Sequence, residues 1–207
     1  MMHKTKIIIS SQNQNKVREM ESILDEHNVE IKCLSEFTQK SPDENGKSFA
    51  ENSLIKARWA YQFSKGKYSC LADDSGLCIK NLNDAPGVYS ARWASNTGYE
   101  KVFMKIKNKF EDTGAKINNQ PAEFVCVISF IDLKKREYLY TGKLIGELTF
   151  PPRGNLGFGY DPIFIPLGEK QTLAEMNKNK KNKVSHRKLA LQKFIDDKLT
   201  IKNRENF

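Results

Sequence analysis

Apolar and polar positions along the chain fall into blocks that read as a mixed α/β fold. Lys6 to Ser10 carries the unbroken run Ile7-Ile8-Ile9, the pattern of a buried strand, and the polar segment Ser11 to Asn15 leads into a helix over Lys16 to Glu26. Val17, Met20 and Leu24 share one face of that helix. A short strand, Glu30 to Leu34, precedes a polar loop with Ser41-Pro42 and Asn45-Gly46, and a long helix starts after Ser48. Its predicted buried stripe is Ala50, Leu54, Ala57 and Tyr61.

Further on, Tyr68 to Ala72 predicts a strand ending at Asp73-Asp74-Ser75-Gly76, with extended structure resuming over Leu77 to Ile79. Glu100 to Phe110 is helical in period, and Glu123 to Asp132 with Glu137 to Lys143 predicts an antiparallel hairpin turning near Lys134-Lys135. Pro151 to Pro162 is a glycine-rich loop with aromatics, Ile163 to Ile165 a short strand, and Ser185 to Leu199 an amphipathic helix. These elements form one domain of mixed sheet and helices, without internal repeat or domain-sized linker.

Composition narrows the class. The 207 residues are 39% hydrophobic and 29% charged, ordinary for a chain that builds its own core. The run after Met1 is too short for a signal peptide, and no stretch approaches the roughly eighteen apolar residues of a membrane span, so a soluble, cytoplasmic protein is expected. Cys33, Cys70, Cys78 and Cys126 show no CxxC spacing and read as reduced core residues; with only His3, His27 and His186 available, a zinc site is not expected. Any metal should be hard and oxygen-bound. Of the net charge of +9, the segment 174–207 supplies +6, which suits a solvated surface or an anionic partner.

Four clusters could carry chemistry. Ser11-Gln12-Asn13-Gln14-Asn15-Lys16 lies between a strand and a helix, where backbone N–H groups and a lysine form an anion site, although no Walker A pattern is present. In Phe49 to Ala57, Glu51 is either the acid of a capping box with Ser48 or a metal ligand, and Asn52 and Lys56 lie one turn apart. In Ala72 to Leu77, two adjacent carboxylates need positive charge beside them, which a divalent cation supplies; one Asp can hold metal or activate water while the other anchors the loop. The fourth cluster joins Arg153 to Pro162 with Lys181, His186 and Arg187. Its glycines allow close backbone approach, Phe158 or Tyr160 offers a stacking ring, and the pattern is not a Rossmann fingerprint.

Together SQNQNK, FAENSLIKA, LADDSGL with APGVYSARWA, PRGNLGFGYDPIF, and TLAEM with NKVSHRKLAL resemble the inosine triphosphate pyrophosphatase family, in order from Ile7 to Leu191. The resemblance implies an elongated mixed α/β sheet with flanking helices, two lobes around a central active-site cleft, and a homodimer. It implies hydrolysis of ITP, dITP or XTP to the monophosphate and pyrophosphate, with Mg²⁺ as cofactor; the lack of a long apolar run, and lysines not interleaved with an aromatic platform, add the expectation of no membrane and no stable nucleic-acid partner. By position, Glu51 and Asp74 would hold Mg²⁺ and Asp74 would accept the proton. Ser11, Gln12, Asn13, Gln14, Asn15, Lys16, Lys56, Ser75, Phe158, Gly159, Tyr160, Asp161, Lys181, His186 and Arg187 would bind substrate. Two positions depart from the family pattern: Lys180 stands where an acidic residue usually precedes the equivalent of Lys181, and Ser53 stands where Ala is usual.

Overall fold

The computed structural model describes residues 5–95 and 98–200. Its sheet has the strand order β2-β1-β3-β5-β6-β7, with β4 paired to β3 off that path. The strands are β1 (Thr5–Ile9), β2 (Val29–Cys33), β3 (Ser69–Ile79), β4 (Ala85–Pro86), β5 (Pro121–Ile131), β6 (Glu137–Leu148) and β7 (Phe164–Pro166). Parallel pairing of β1 with both β2 and β3, and antiparallel pairing of β3 with β4 and of β6 with β7, make the sheet mixed. The turn Asp132 to Arg136 joins β5 to its neighbour β6, a connection so short that only antiparallel pairing is open to it. Lys135 takes a left-handed φ of 62° there, as expected for a turn at Lys134-Lys135.

The helices are α1 (Gln14–Leu24), α2 (Phe49–Phe63), α3 (Ser90–Ala94), α4 (Gly98–Thr113), α5 (Lys178–Val184) and α6 (His186–Phe194). Contacts divide the described residues into two compact units. The first holds residues up to Asp74 with Cys126–Gly142 and everything from Arg187 onward; the second holds Ser75–Val125 and Lys143–His186. In the first unit, Ile7, Ile9 and Leu71 pack with Val17, Met20 and Leu24 of α1 and Leu191 and Phe194 of α6. In the second, Leu77 and Ile79 pack with Val102, Ile106 and Phe110 of α4 and with Leu148 and Phe164. Each such side chain contributes about 1.5–3 kcal/mol by leaving water.

Three sequence expectations change. β3 does not end at the aspartates but runs through Asp73-Asp74-Ser75-Gly76 to Ile79, because Lys16, Lys56 and Arg187 match the charges inside the strand. The buried face of α2 is not the apolar stripe: Ala57 is buried, but its companions there are Asn52, Ser53, Lys56 and Ala60, while Ala50, Leu54 and Tyr61 are only half-buried. Periodicity placed the stripe by hydrophobicity, and the helix instead turns a polar face inward toward β3. The C-terminal helix ends at Phe194 and closes in a π-helical turn, Ile195–Leu199, while the lysine-rich α5 has no apolar period to announce it. All four cysteines are free and buried; burial pushes the thiols of Cys33, Cys70 and Cys126 up to about 12 and that of Cys78 to about 11.

Candidate active site

Within the first unit, side chains alternate along β3, so neighbouring positions meet different helices. Leu71 packs with the α1 and α6 side chains, and Ala72 packs with Ala57 of α2. Asp73 follows the first of these directions and Asp74 the second. Ser10, at the end of β1, donates its hydroxyl to the Lys56 carbonyl at 3.0 Å and ties α2 to the sheet.

Asp73 is fully buried and sits among cations. Lys16 Nζ lies 3.1 Å from its Oδ2, and the Arg187 guanidinium donates to the same oxygen from Nη2 at 3.1 Å and Nε at 3.3 Å. Arg187, 1% exposed, also donates through Nη1 to Glu19 Oε2. Burial alone would raise the Asp73 pKa, but Lys16, Arg187 and Lys56 outweigh it and hold the carboxyl far below the usual carboxylate range. Arg187 in turn is raised: burial would lower it, and Glu19 and Asp73 reverse that.

Asp74 is differently placed. Asn52 Nδ2 donates to its Oδ2 at 3.1 Å, and Lys56 Nζ stands 3.8 Å from its Oδ1. Here burial wins: it raises the Asp74 pKa beyond what Lys56, Lys16 and Asn52 recover, and the charge of Glu44 adds to the rise. Glu44 Oε2 lies 3.0 Å from Lys56 Nζ, so Lys56 serves both acids. Burial would lower Lys56, and Asp73, Asp74 and Glu44 raise it above its ordinary value. The result is one carboxylate locked in its ionised form and a neighbour held toward proton uptake, the arrangement general-base chemistry uses.

The run before and into α1 bonds within itself and to the segment Ser35 to Lys40. Asn13 Oδ1 caps the helix, accepting from the N–H groups of Asn15 at 3.0 Å and Lys16 at 3.3 Å. Ser11 Oγ accepts from Asn13 N–H, Gln12 Nε2 donates to the carbonyls of Thr38 and Lys40, and Gln14 Nε2 donates to Ser35 Oγ. Of this run, Lys16 reaches Asp73 directly. Glu51 is exposed and meets half of the capping box: its N–H donates to Ser48 Oγ at 3.1 Å, while its Oε2 accepts from the N–H of Lys47, one residue before the cap, at 2.6 Å.

In the second unit, Asp161 gathers the glycine-rich loop. Its Oδ2 accepts from the Phe158 N–H at 2.7 Å and from Lys181 Nζ at 2.7 Å, while that ammonium sits 4.4 Å from the centre of the Phe158 ring. Gly157 has φ +76°, and a Cβ there would meet Asp161 Oδ2 at 2.2 Å, so the turn admits no side chain. Lys180 instead pairs with Glu169 at 2.7 Å, which decides between the two adjacent lysines: Lys181 is the one at the loop. Tyr160 is core rather than a free stacking ring; its hydroxyl donates to the Ser90 carbonyl at 2.9 Å and its ring packs edge-on against Tyr99. His186 stacks on Phe124 with centroids 4.8 Å apart and planes at 11°. Gly159 adopts φ +69°, and Ser75 is half-buried in β3.

Sequence reading did not single out Glu44, Glu19 or Phe124. Glu44 lies in a loop without periodicity. Glu19 carried a usable signal, since it is one turn from Lys16 on a helix whose partner face is buried.

A mixed α/β sheet thus carries a carboxylate doublet in a central strand, matched by Lys16, Lys56 and Arg187. The chain belongs to the Ham1 family, whose model matches residues 7–197. It is similar to the dITP/XTP pyrophosphatase of Dictyoglomus thermophilum, 41% identical over 94% of this chain and 96% of that protein. That of Clostridium perfringens is 40% identical over 93% and 96%. Among solved structures, a HAM1 protein from Coxiella burnetii superposes with TM-score 0.82 at 36% identity over 92% of this chain and 96% of that one. The Staphylococcus aureus Ham1 protein gives 0.75 at 34% over 93% and 98%. The sequence resemblance and the expected mixed α/β class are thus borne out.

Proposed function

We propose that this protein hydrolyses the non-standard purine nucleoside triphosphates dITP, XTP and ITP to the nucleoside monophosphate and pyrophosphate. The relatives named for dITP and XTP, matched along nearly their whole length, support the activity. The observation that carries the chemistry is the contrast inside the doublet: Asp74, raised by burial, takes the proton of an attacking water, while Asp73, lowered by its cations, stays ionised. Water oxygen bonds to the α-phosphorus, the bond to the bridging oxygen breaks, and pyrophosphate leaves. Lys16 and Lys56 oppose phosphate charge in a reaction governed by positioning and electrostatics.

A divalent cation, Mg²⁺, belongs to this proposal. Among the described residues no group of three or more His, Cys, Asp or Glu is placed to hold a metal, so a cage made by protein alone is not offered there. Mg²⁺ does not ask for one, since it keeps several waters and takes one or two carboxylates plus substrate phosphates. Asp74 fits as one ligand. Glu44, which shares Lys56 with it and adds to its raised pKa, fits as the second better than Glu51, whose carboxylate is turned to the Lys47 N–H. Bound there, the cation would offset phosphate charge and acidify water.

Base selection is assigned to the second unit's cluster. Lys181 and Phe158 supply a donor and a ring for a 6-oxo purine, with His186 on its Phe124 platform as a further donor; adenine presents an amino group where those donors need an acceptor. A homodimer in the cytoplasm, without membrane or nucleic-acid partner, completes the reading; no helix among the described residues is long and apolar enough to cross a membrane. The test is product analysis with dITP, XTP and ATP. Release of pyrophosphate from the first two, dependent on Mg²⁺ and in strong preference to ATP, is expected; equal turnover of ATP contradicts the specificity.

A further inference from the structure

Asn52 is a fully buried amide, 1% exposed, on the inward face of α2 one turn before Lys56. Its two ends are used with opposite polarity. Nδ2 donates to Asp74 Oδ2 at 3.1 Å, and Oδ1 accepts from the Gly46 N–H at 2.8 Å. Rotating the amide would set its oxygen against a carboxylate and its NH₂ against a backbone N–H, so the orientation is fixed by both contacts at once. The Gly46 end is equally constrained. A Cβ at position 46 would lie 2.6 Å from Asn52 Oδ1, 2.7 Å from Glu51 Cβ and 3.0 Å from Asn52 N, so the loop reaches the amide only because residue 46 has no side chain.

The two oxygens of Asp74 are thereby made unequal. Oδ2 is held by a neutral donor, and Oδ1 is left toward Lys56, which also carries Glu44. A neutral amide fixes the rotamer without adding charge, which a lysine or arginine in its place would not do. We propose that Asn52, with Gly46 as its backbone partner, is a positioning residue for Asp74: it sets the carboxylate so that Oδ1 faces the reacting groups, and it fastens the Glu44 loop to the same carboxylate. The inference rests on the assignment of Asp74 as the proton acceptor and adds to it the group that orients that acceptor.

The test uses the full-length protein with dITP as substrate. Asn52→Ala is expected to lower kcat about 10- to 100-fold while KM stays within about 3-fold, the size of loss that a displaced reacting group causes. The Asn52→Ala change placed on Asp74→Asn is expected to add no further loss, because Asn52 acts only through that carboxylate. Losses that multiply in the double variant would show that Asn52 acts independently of Asp74, and a kcat near wild type in folded Asn52→Ala would show a merely structural role; either result overturns the inference. If Asn52→Ala does not fold, Gly46→Ala decides, with lowered kcat and steady KM expected and wild-type kcat contradicting. Wild-type kcat in folded Asn52→Ala alongside an inactive Asp74→Asn removes only the Asn52 role, whereas full activity in Asp74→Asn removes the Asp74 assignment and this inference with it.

Discussion

On the α1 and α6 side of β3, Asp73 meets Lys16 and Arg187, with Glu19 closing the far end of the guanidinium. On the α2 side, Asp74 meets one lysine at 3.8 Å and a neutral amide, with a second acid beyond the lysine. Both carboxylates are buried, yet cations outweigh burial at Asp73 and burial outweighs cations at Asp74. Adjacent residues of identical type are thus given separate work by strand alternation alone: one organises charge and joins helices to the sheet, and the other is left with proton affinity to use.

The comparison breaks hardest at Asp73. Asp73→Asn leaves the buried Arg187 and the half-buried Lys16 with one carboxylate fewer, and a loss of about 3–5 kcal/mol in unfolding free energy is expected by denaturant titration. A smaller effect is expected at Lys56, whose Nζ stands 3.8 Å from Asp74 Oδ1. Lys56→Met should lower kcat/KM for dITP about 10²-fold through lost opposition to phosphate charge, and should also lower the unfolding midpoint, because Asp74 and Glu44 lose the cation they share.

The pH dependence of stability separates the two acids by sign. Asp73, lowered in the fold, contributes stability that is present above its unfolded value of 3.8 and is lost as pH falls through its folded value. Asp74, raised in the fold, contributes stability below 3.8 that is lost as pH rises through its folded value. Thermal melts across the acid range should therefore lose part of their acid-side slope in Asp73→Asn and gain net stability at neutral pH in Asp74→Asn.

The smallest expected effect lies under α2, where Ser53 and Ser129 share a buried hydrogen bond of 2.5 Å between hydroxyls. Ser53→Ala strands the Ser129 hydroxyl and should cost about 1–3 kcal/mol, whereas the double change to alanine should be close to neutral in the same chemical denaturation. The serine at position 53 thus has its explanation in Ser129.

Much of this was legible in the chain itself. The Ile7-Ile8-Ile9 run gave β1, the period of Val17, Met20 and Leu24 gave α1, and the adjacent aspartates, expected at a strand end, asked for positive charge; a divalent cation was the expected source, and Lys16, Lys56 and Arg187 stand beside them in the fold. What periodicity could not give was the inward polar face of α2, since a helix that buries Asn52 and Lys56 violates the rule the pattern relies on. Arg187 was expected as a substrate contact; the fold spends its guanidinium on Asp73 and Glu19, and only long-range pairing of α1, β3 and α6 reveals it. Glu44 was hidden for the same reason, its loop being placed by Gly46 and Asn52 and not by any local signal.

The most direct measurement is Asp74→Asn assayed for both turnover and stability in one preparation. Pyrophosphate release from dITP should fall about 10³-fold, the scale of a lost general base, while the unfolding midpoint at neutral pH stays at or above that of the wild type. Turnover near the wild-type rate, or a loss of stability like that of Asp73→Asn, would contradict the division of labour between the two aspartates.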